Sequence, residues 1–205
     1  MITAQEALAR LKEGNRRFVD DGRGTGFGTT SHERGAVLTG QEPFAVILGC
    51  SDSRVPVEIV FDQGLGDLFV IRVAGNVVAP SLIGSVEFAV SAFGTPLVVV
   101  LGHTMCGAVQ ATIDELKLRP ESRSPNLARI VDRIKPVAQP LLELEPAPDP
   151  SSLPALVTRA NVRQSVAQLT AGSEILERAV RDDGLLVRGA EYDLASGAVT
   201  FLEDG

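Results

Sequence analysis

Apolar residues in this chain follow two spacings, and the way the spacings alternate predicts the architecture. Four runs, Phe44–Gly49, Leu68–Val73, Leu97–Gly102 and Leu185–Gly189, are apolar throughout but for Arg72 and Arg188. They lack the in-out alternation of a half-exposed strand and read as strands covered on both faces. Between them the spacing turns helical. Residues 4–19 place Leu8, Leu11 and Phe18 on one face, behind a Thr3-Ala4-Gln5-Glu6 opening that matches a capping box, and Asp21-Gly22 ends the pattern. Ser81–Phe93, Cys106–Leu118, Leu127–Ala138 and Leu153–Val180 read as further helices. Asp193–Gly197 turns the fourth strand into Ala198–Leu202, an antiparallel edge. Strands alternating with helices predict an α/β fold, with about four parallel strands plus that edge strand, flanked by helices.

Two stretches fall outside the pattern. Residues 22–42 carry seven glycines or serines and little periodicity, which predicts a long loop wrapping a site or a partner. Together with the first helix it makes an N-terminal arm, 1–42, ahead of an α/β core, 43–205. Pro136, Pro140, Pro146, Pro148, Pro150 and Pro154 read as a helix-breaking connector. A core strand follows it, so the connector lies inside one domain, as a length of 205 residues favours.

Composition narrows the function. The chain is 44% hydrophobic and 22% charged, ordinary globular usage. Its 19 basic against 26 acidic residues give a net charge of −7, which argues against nucleic-acid or anionic-membrane partners. The N-terminus has no apolar leader, and no stretch approaches the roughly 18 apolar residues a bilayer requires, so a cytoplasmic protein is expected. There, two cysteines are better candidates for metal binding or catalysis than for a disulfide.

Two predicted strands end alike, Val46-Ile47-Leu48-Gly49-Cys50 and Val99-Val100-Leu101-Gly102-His103, and Cys106 follows three residues after His103. In an open α/β sheet, ligands bind beyond the carboxyl ends of strands. Two thiolates and an imidazole suit Zn2+, and three protein ligands leave a fourth position open. Only His32, in the arm, remains as another histidine. That shortage points to a catalytic rather than a structural metal. In Cys50-Ser51-Asp52-Ser53-Arg54, an extended backbone puts Asp52 and Arg54 on the side of Cys50, where Arg54 can grip Asp52 through a bidentate fork. A released Asp52 could instead fill the fourth metal position.

These motifs, with Phe61-Asp62-Gln63-Gly64-Leu65-Gly66-Asp67-Leu68-Phe69-Val70-Ile71-Arg72-Val73-Ala74-Gly75-Asn76, Gly84-Ser85-Val86-Glu87-Phe88-Ala89-Val90 and Gly189-Ala190-Glu191-Tyr192-Asp193, resemble the β-class carbonic anhydrases. The resemblance spans nearly the whole chain in the right order. It implies reversible hydration of carbon dioxide to bicarbonate and a proton by a zinc-bound hydroxide, with one zinc per subunit. It maps the ligands onto Cys50, His103 and Cys106, makes Asp52 the alternating fourth ligand, and gives Asp52 and Arg54 the task of orienting the nucleophile. It maps the substrate pocket onto Gln41, Phe69, Val73 or Ala74, and Phe88, with Gly107 beside them. Gly75, Gly102 and Gly107 also suit turns and close backbone approach. The resemblance further implies a homodimer, with the pocket at its interface, or a homotetramer. His32 is the remaining candidate proton shuttle. Ile47 stands where a tryptophan builds a second bicarbonate pocket in some members, and Arg72 alone does not complete that pocket. Carbonyl sulfide or carbon disulfide hydrolysis on the same zinc is the rival activity, and a non-catalytic zinc or bicarbonate module the rival class.

Overall fold

The computed structural model describes residues 2–20, 30–118 and 124–203. Strands β1 (Ala45–Cys50), β2 (Leu68–Val73), β3 (Leu97–His103), β4 (Leu186–Tyr192) and β5 (Val199–Phe201) form one sheet in the order β2-β1-β3-β4-β5. The first four are parallel and β5 is antiparallel to β4. Every residue of β1 and β3 is buried, which is what a continuous apolar run at the centre of a covered sheet requires.

Helices α1 (Ala4–Val19) and α3 (Val57–Val60) pack on one face, through Ala7, Leu11, Val57 and Val60. On the other face lie α4 (Pro80–Phe93), α7 (Leu153–Ala171) and α8 (Glu174–Asp182), with Val86, Val162, Leu169 and Leu176 fully buried. A third apolar cluster, at the carboxyl ends of the strands, joins α5 (Gly107–Leu118), α6 (Pro125–Leu142) and α7, and includes Cys50 and Cys106.

The capping box at Thr3 forms as expected, with Thr3 Oγ1 accepting from the Glu6 amide and the Thr3 amide donating to Glu6. Four expectations change. The stretch predicted as loop contains a short helix, α2 (Ser31–Ala36), while the predicted stop at Asp21-Gly22 lies outside the described residues. β4 runs on to Tyr192, because each residue from Gly189 onward still has a partner on β3 or β5. Leu153–Val180 is two helices, since Gly172 interrupts it and the Ser173 side chain caps the amide of Leu176. Pro136 and Pro140 sit inside α6 rather than ending it. Both lie one turn apart on the solvent face, where water takes up the carbonyls that lose their partners, while Val131, Ile134 and Ala138 hold the opposite face in the core.

Two glycines set how deeply α7 sits. A Cβ on Gly102 would come within 2.6 Å of Val162 Cγ2, and one on Gly189 within 2.7 Å of Val162 Cγ1. Val162 therefore fills a notch that exists only because neighbouring strands β3 and β4 lack side chains there. α1 is held to its own chain in a similar way. Gly14 faces the Phe61 carbonyl, and Asn15 donates to the carbonyls of Val60 and Gly197 and accepts from the amide of Val199.

An alanine in a helix interior ordinarily stabilises relative to glycine by about 1 kcal/mol. Gly84, exposed on α4 with nothing within 4 Å of where a Cβ would sit, follows that rule, and Gly84→Ala raises stability by about 0.5–1 kcal/mol. At Gly14 the sign reverses. A Cβ there would lie 1.9 Å from the Phe61 carbonyl oxygen, so Gly14→Ala costs about 1–3 kcal/mol. Urea unfolding of both variants beside the parent checks the pair.

Candidate metal centre

β1 and β3 are parallel neighbours, with Gly49 level with Leu101, so their carboxyl ends open on the same edge. Cys50 ends β1, His103 ends β3, and the turn 104–106 brings Cys106 back to the start of α5. Met105 makes that turn possible with a left-handed φ of 55°, a conformation that costs a non-glycine residue about 1 kcal/mol or more. The ligand atoms of Cys50, His103 and Cys106 all lie within 4.8 Å of one another, and all three side chains are buried.

The donor set fits a metal ion. His103 Nδ1 lies 2.9 Å from the Thr104 carbonyl. A carbonyl only accepts, so Nδ1 carries the proton and Nε2 presents its lone pair. That Nε2 is buried and has no hydrogen-bond partner among the described residues, an arrangement costly for a polar atom unless something else coordinates it. Between the thiols, the hydrogen bond from Cys106 draws the Cys50 thiol well below its usual range, against the opposing effect of burial and with help from the Gly75 amide. Cys106 is pushed above its usual range by that same bond, by burial, and by the Cys50 charge. Of the two thiols, Cys50 is thus the more acidic.

Asp52 stands beside the cluster. Arg54 grips it through Nε to Oδ1 at 2.9 Å and Nη2 to Oδ2 at 2.7 Å, and the Arg54 amide adds a third bond at 2.9 Å. The guanidinium holds the Asp52 carboxyl well below the usual carboxylate range. The stabilisation from this pair is therefore complete above ordinary carboxylate pKa values and is lost only in strong acid. Arg54 Nη2 also donates to the Met105 carbonyl at 3.2 Å, tying the β1 end to the His103–Cys106 turn. Asp52 Oδ2 is 3.9 Å from His103 Nε2.

The predicted pocket residues divide into two groups. Val73 pairs with Cys50, and Ala74 begins the 3-10 turn Ala74–Asn76, so both stand at the centre. Gly107 opens α5 next to Cys106, and nothing lies within 4 Å of where its Cβ would be, so close backbone approach is not its role. Gln41, Phe69 and Phe88 are elsewhere. Phe69 is level with Val46, four residues before Val73, roughly 13 Å along a strand from the Cys50 level. Phe88 packs against Phe69 and Phe93 and is 56% exposed. Gln41 lines a cavity of about 740 Å³ at the opposite end of β1, with Arg10, Phe44 and Phe93. Within one chain these three do not join the metal cluster. The His32 side chain lies outside the described residues.

Two residues of the quoted motifs, Arg72 and Gly75, make contacts at the site that the sequence did not reveal. Arg72 clamps the segment after β1, donating from Nε to the Cys50 carbonyl at 3.0 Å and from Nη2 to the Asp52 carbonyl at 2.7 Å. Gly75 donates its amide to Cys50 Sγ at 3.3 Å. The signal for Arg72 was a lone basic residue interrupting an apolar strand.

A mainly parallel sheet whose central strand ends bring two thiols and an imidazole together defines an α/β protein with a metal centre at its carboxyl edge. The carbonic anhydrase family profile matches residues 45–199. Carbonic anhydrase 2 of Mycobacterium tuberculosis is 39% identical over 193 residues, covering 93% of this chain and 89% of its own. The crystal structure of the β-carbonic anhydrase CafA of Aspergillus fumigatus superposes with a TM-score of 0.75 at 26% identity, over 97% of this chain and 90% of its own. A tetrameric β-carbonic anhydrase of Sordaria macrospora gives a TM-score of 0.73 at 25% identity, over 83% and 86%. The chain belongs to the β-class carbonic anhydrase family and is a carbonic anhydrase. Among the described residues no helix is long and apolar enough to cross a membrane.

Metal binding must displace the protons that the thiols hold, above all the one on Cys106. Loading the apoprotein with zinc therefore releases thiol protons, chiefly from Cys106. Affinity accordingly falls as pH falls, since protons compete for Cys106. Calorimetry in buffers of different ionisation enthalpy counts the protons.

Proposed function

We propose that the chain hydrates carbon dioxide reversibly to bicarbonate and a proton on one zinc ion held by Cys50, His103 and Cys106. When bound, zinc supplies the Lewis acidity that brings ionisation of water towards neutral pH, and two thiolates moderate it, favouring alkaline conditions. The unpartnered His103 Nε2, within 4.8 Å of both sulfurs, is the observation that carries this reading.

The protein's own groups do the rest. Asp52, kept ionised by Arg54, is an acceptor only. It takes a hydrogen bond from the attacking water or hydroxide and so turns the oxygen lone pair towards the carbon of carbon dioxide. Arg54 is a positioning residue: its fork and its bond to the Met105 carbonyl fix where Asp52 points. Val73 and Ala74 give the linear, apolar substrate a dry wall.

The distance of Gln41, Phe69 and Phe88 from their own chain's cluster supports a second copy as their place of action. β2 is the sheet edge, and it leaves Phe88 on the surface beside Phe69. In a homodimer these three side chains reach the partner's centre, where Gln41 donates to a substrate oxygen and the two rings exclude water. A tetramer, as described for the Sordaria macrospora protein, pairs such dimers. The protein's place is the cytoplasm, and residues 1–205 act as one domain.

Metal analysis with stopped-flow carbon dioxide hydration tests the centre. The parent carries about one zinc per chain, and Cys106→Ser loses both metal and activity. Asp52→Asn keeps its zinc and loses about 100-fold in kcat, as expected for a misaimed nucleophile. Full zinc occupancy with no hydration at alkaline pH overturns the proposal, and sulfide release from carbonyl sulfide in its place assigns the rival activity. Mixing tests the shared pocket. Gln41→Ala and Cys106→Ser are each impaired as pure dimers, but mixed dimers contain one complete site and recover activity above the sum of the two. Absence of recovery in confirmed mixed dimers removes the second copy from the site.

A further inference from the structure

Three polar side chains on the buried face of α7, Thr158, Asn161 and Ser165, stand among the apolar residues Val157, Val162 and Leu169. Asn161 and Ser165 are each 1% exposed. Burying an amide in a helix–sheet contact is unfavourable unless its hydrogen bonds are made. Asn161 makes only part of its set: Oδ1 has no hydrogen-bond partner among the described residues. A leucine would fill the volume without that cost, so packing alone does not account for the amide.

What Asn161 does bind is specific. Nδ2 donates to the Gly75 carbonyl at 2.8 Å, and one helical turn later Ser165 Oγ donates to the Asn76 carbonyl at 3.1 Å. These two carbonyls belong to consecutive left-handed residues, Gly75 with φ 72° and Asn76 with φ 44°. Glycine enters left-handed backbone freely and asparagine tolerates it better than most residues, and the two side-chain bonds from α7 hold the pair there. The turn is also crowded: a Cβ on Gly75 would lie 2.9 Å from Ala108 Cβ and 3.0 Å from Ile134 Cδ1. The same turn aims the Gly75 amide at Cys50 Sγ, 3.3 Å away. A relay thus runs from α7 through two backbone carbonyls to one sulfur.

We propose that Asn161, seconded by Ser165, is a positioning residue that sets the electron-donating strength of the Cys50 sulfur by fixing the Gly75 amide against it. This rests on Cys50 being a metal ligand. A hydrogen bond withdraws electron density from a thiolate, and such outer-shell contacts tune both affinity and electronics of a metal site. α7 is suited to the task because Val162, between Asn161 and Ser165 in sequence, is seated in the Gly102–Gly189 notch and fixes the helix height over the turn.

Cobalt(II) substitution reads the sulfur directly, through the sulfur-to-cobalt charge-transfer band in the near ultraviolet. In Asn161→Leu the freed turn withdraws the Gly75 amide, the sulfur becomes a stronger donor, and the band moves to longer wavelength. Cobalt affinity falls about 10-fold, the lower end of outer-shell losses. Ser165→Ala moves the band the same way by less, and Ser165→Thr, which keeps the hydroxyl, returns it. Leu169→Ala, on the same helix but far along it, lowers the melting temperature and leaves the band in place. A band at the parental wavelength in Asn161→Leu, or in Ser165→Ala should the leucine variant not fold, overturns the relay. So does an equal shift in Leu169→Ala, which would mean that general loosening is enough. A parent protein that binds cobalt with no sulfur band overturns the metal centre itself, and the relay with it.

Discussion

Parallel pairing of β1 with β3 is the constraint on which the site depends. Antiparallel neighbours would send Cys50 and His103 to opposite edges of the sheet, and a shift of one residue would turn one of them to the other face. Parallel register carries both to one edge, and a left-handed turn at Met105 folds Cys106 back between them. Two of the three side chains end fully buried strands and the third follows a short tied turn, so little ordering remains to be done when an ion arrives.

Around that edge the protein supplies fixed directions instead of further ligands. Arg72 holds the carbonyls of Cys50 and Asp52, Arg54 holds the Asp52 carboxylate, and Thr104 holds the imidazole through Nδ1. Each of these contacts removes a rotation that a bare ligand set would leave free. Under the proposed mechanism the carboxylate orients a reacting oxygen and needs this restraint, because orientation alone is worth several kcal/mol of barrier.

The sheet and the clustering of Cys50, His103 and Cys106 were legible because both write themselves locally. A continuous apolar run announces a covered strand, and two such runs ending in Cys50 and His103 announce a shared edge. The rest depended on tertiary context. Pro136 and Pro140 looked like breakers because sequence does not say which face of a helix meets water. The split at Gly172-Ser173 was written in the chain as a glycine followed by a capping serine, and a long helical spacing on both sides masked it. Asn161 and Ser165, one turn apart, look like surface residues until α7 is docked. Their trace is the weak amphipathic contrast of a helix whose buried side is partly polar. Gln41, Phe69 and Phe88 carried a family likeness, but no spacing could reveal that their own centre is a strand's length away.

The Asn15 clasp has a consequence for how the chain is made. Its partners Gly197 and Val199 are 182 and 184 residues further along, among the longest separations the polypeptide allows. During synthesis α1 precedes every strand of the sheet, and these two partners follow only after β4 has been produced. Closure of this long loop is therefore a late event in folding, favoured only once the sheet has paid its entropy. Until then α1 has only its nearer partners, the α3 surface and the Val60 carbonyl, so the same asparagine joins an early local contact to a late distant one.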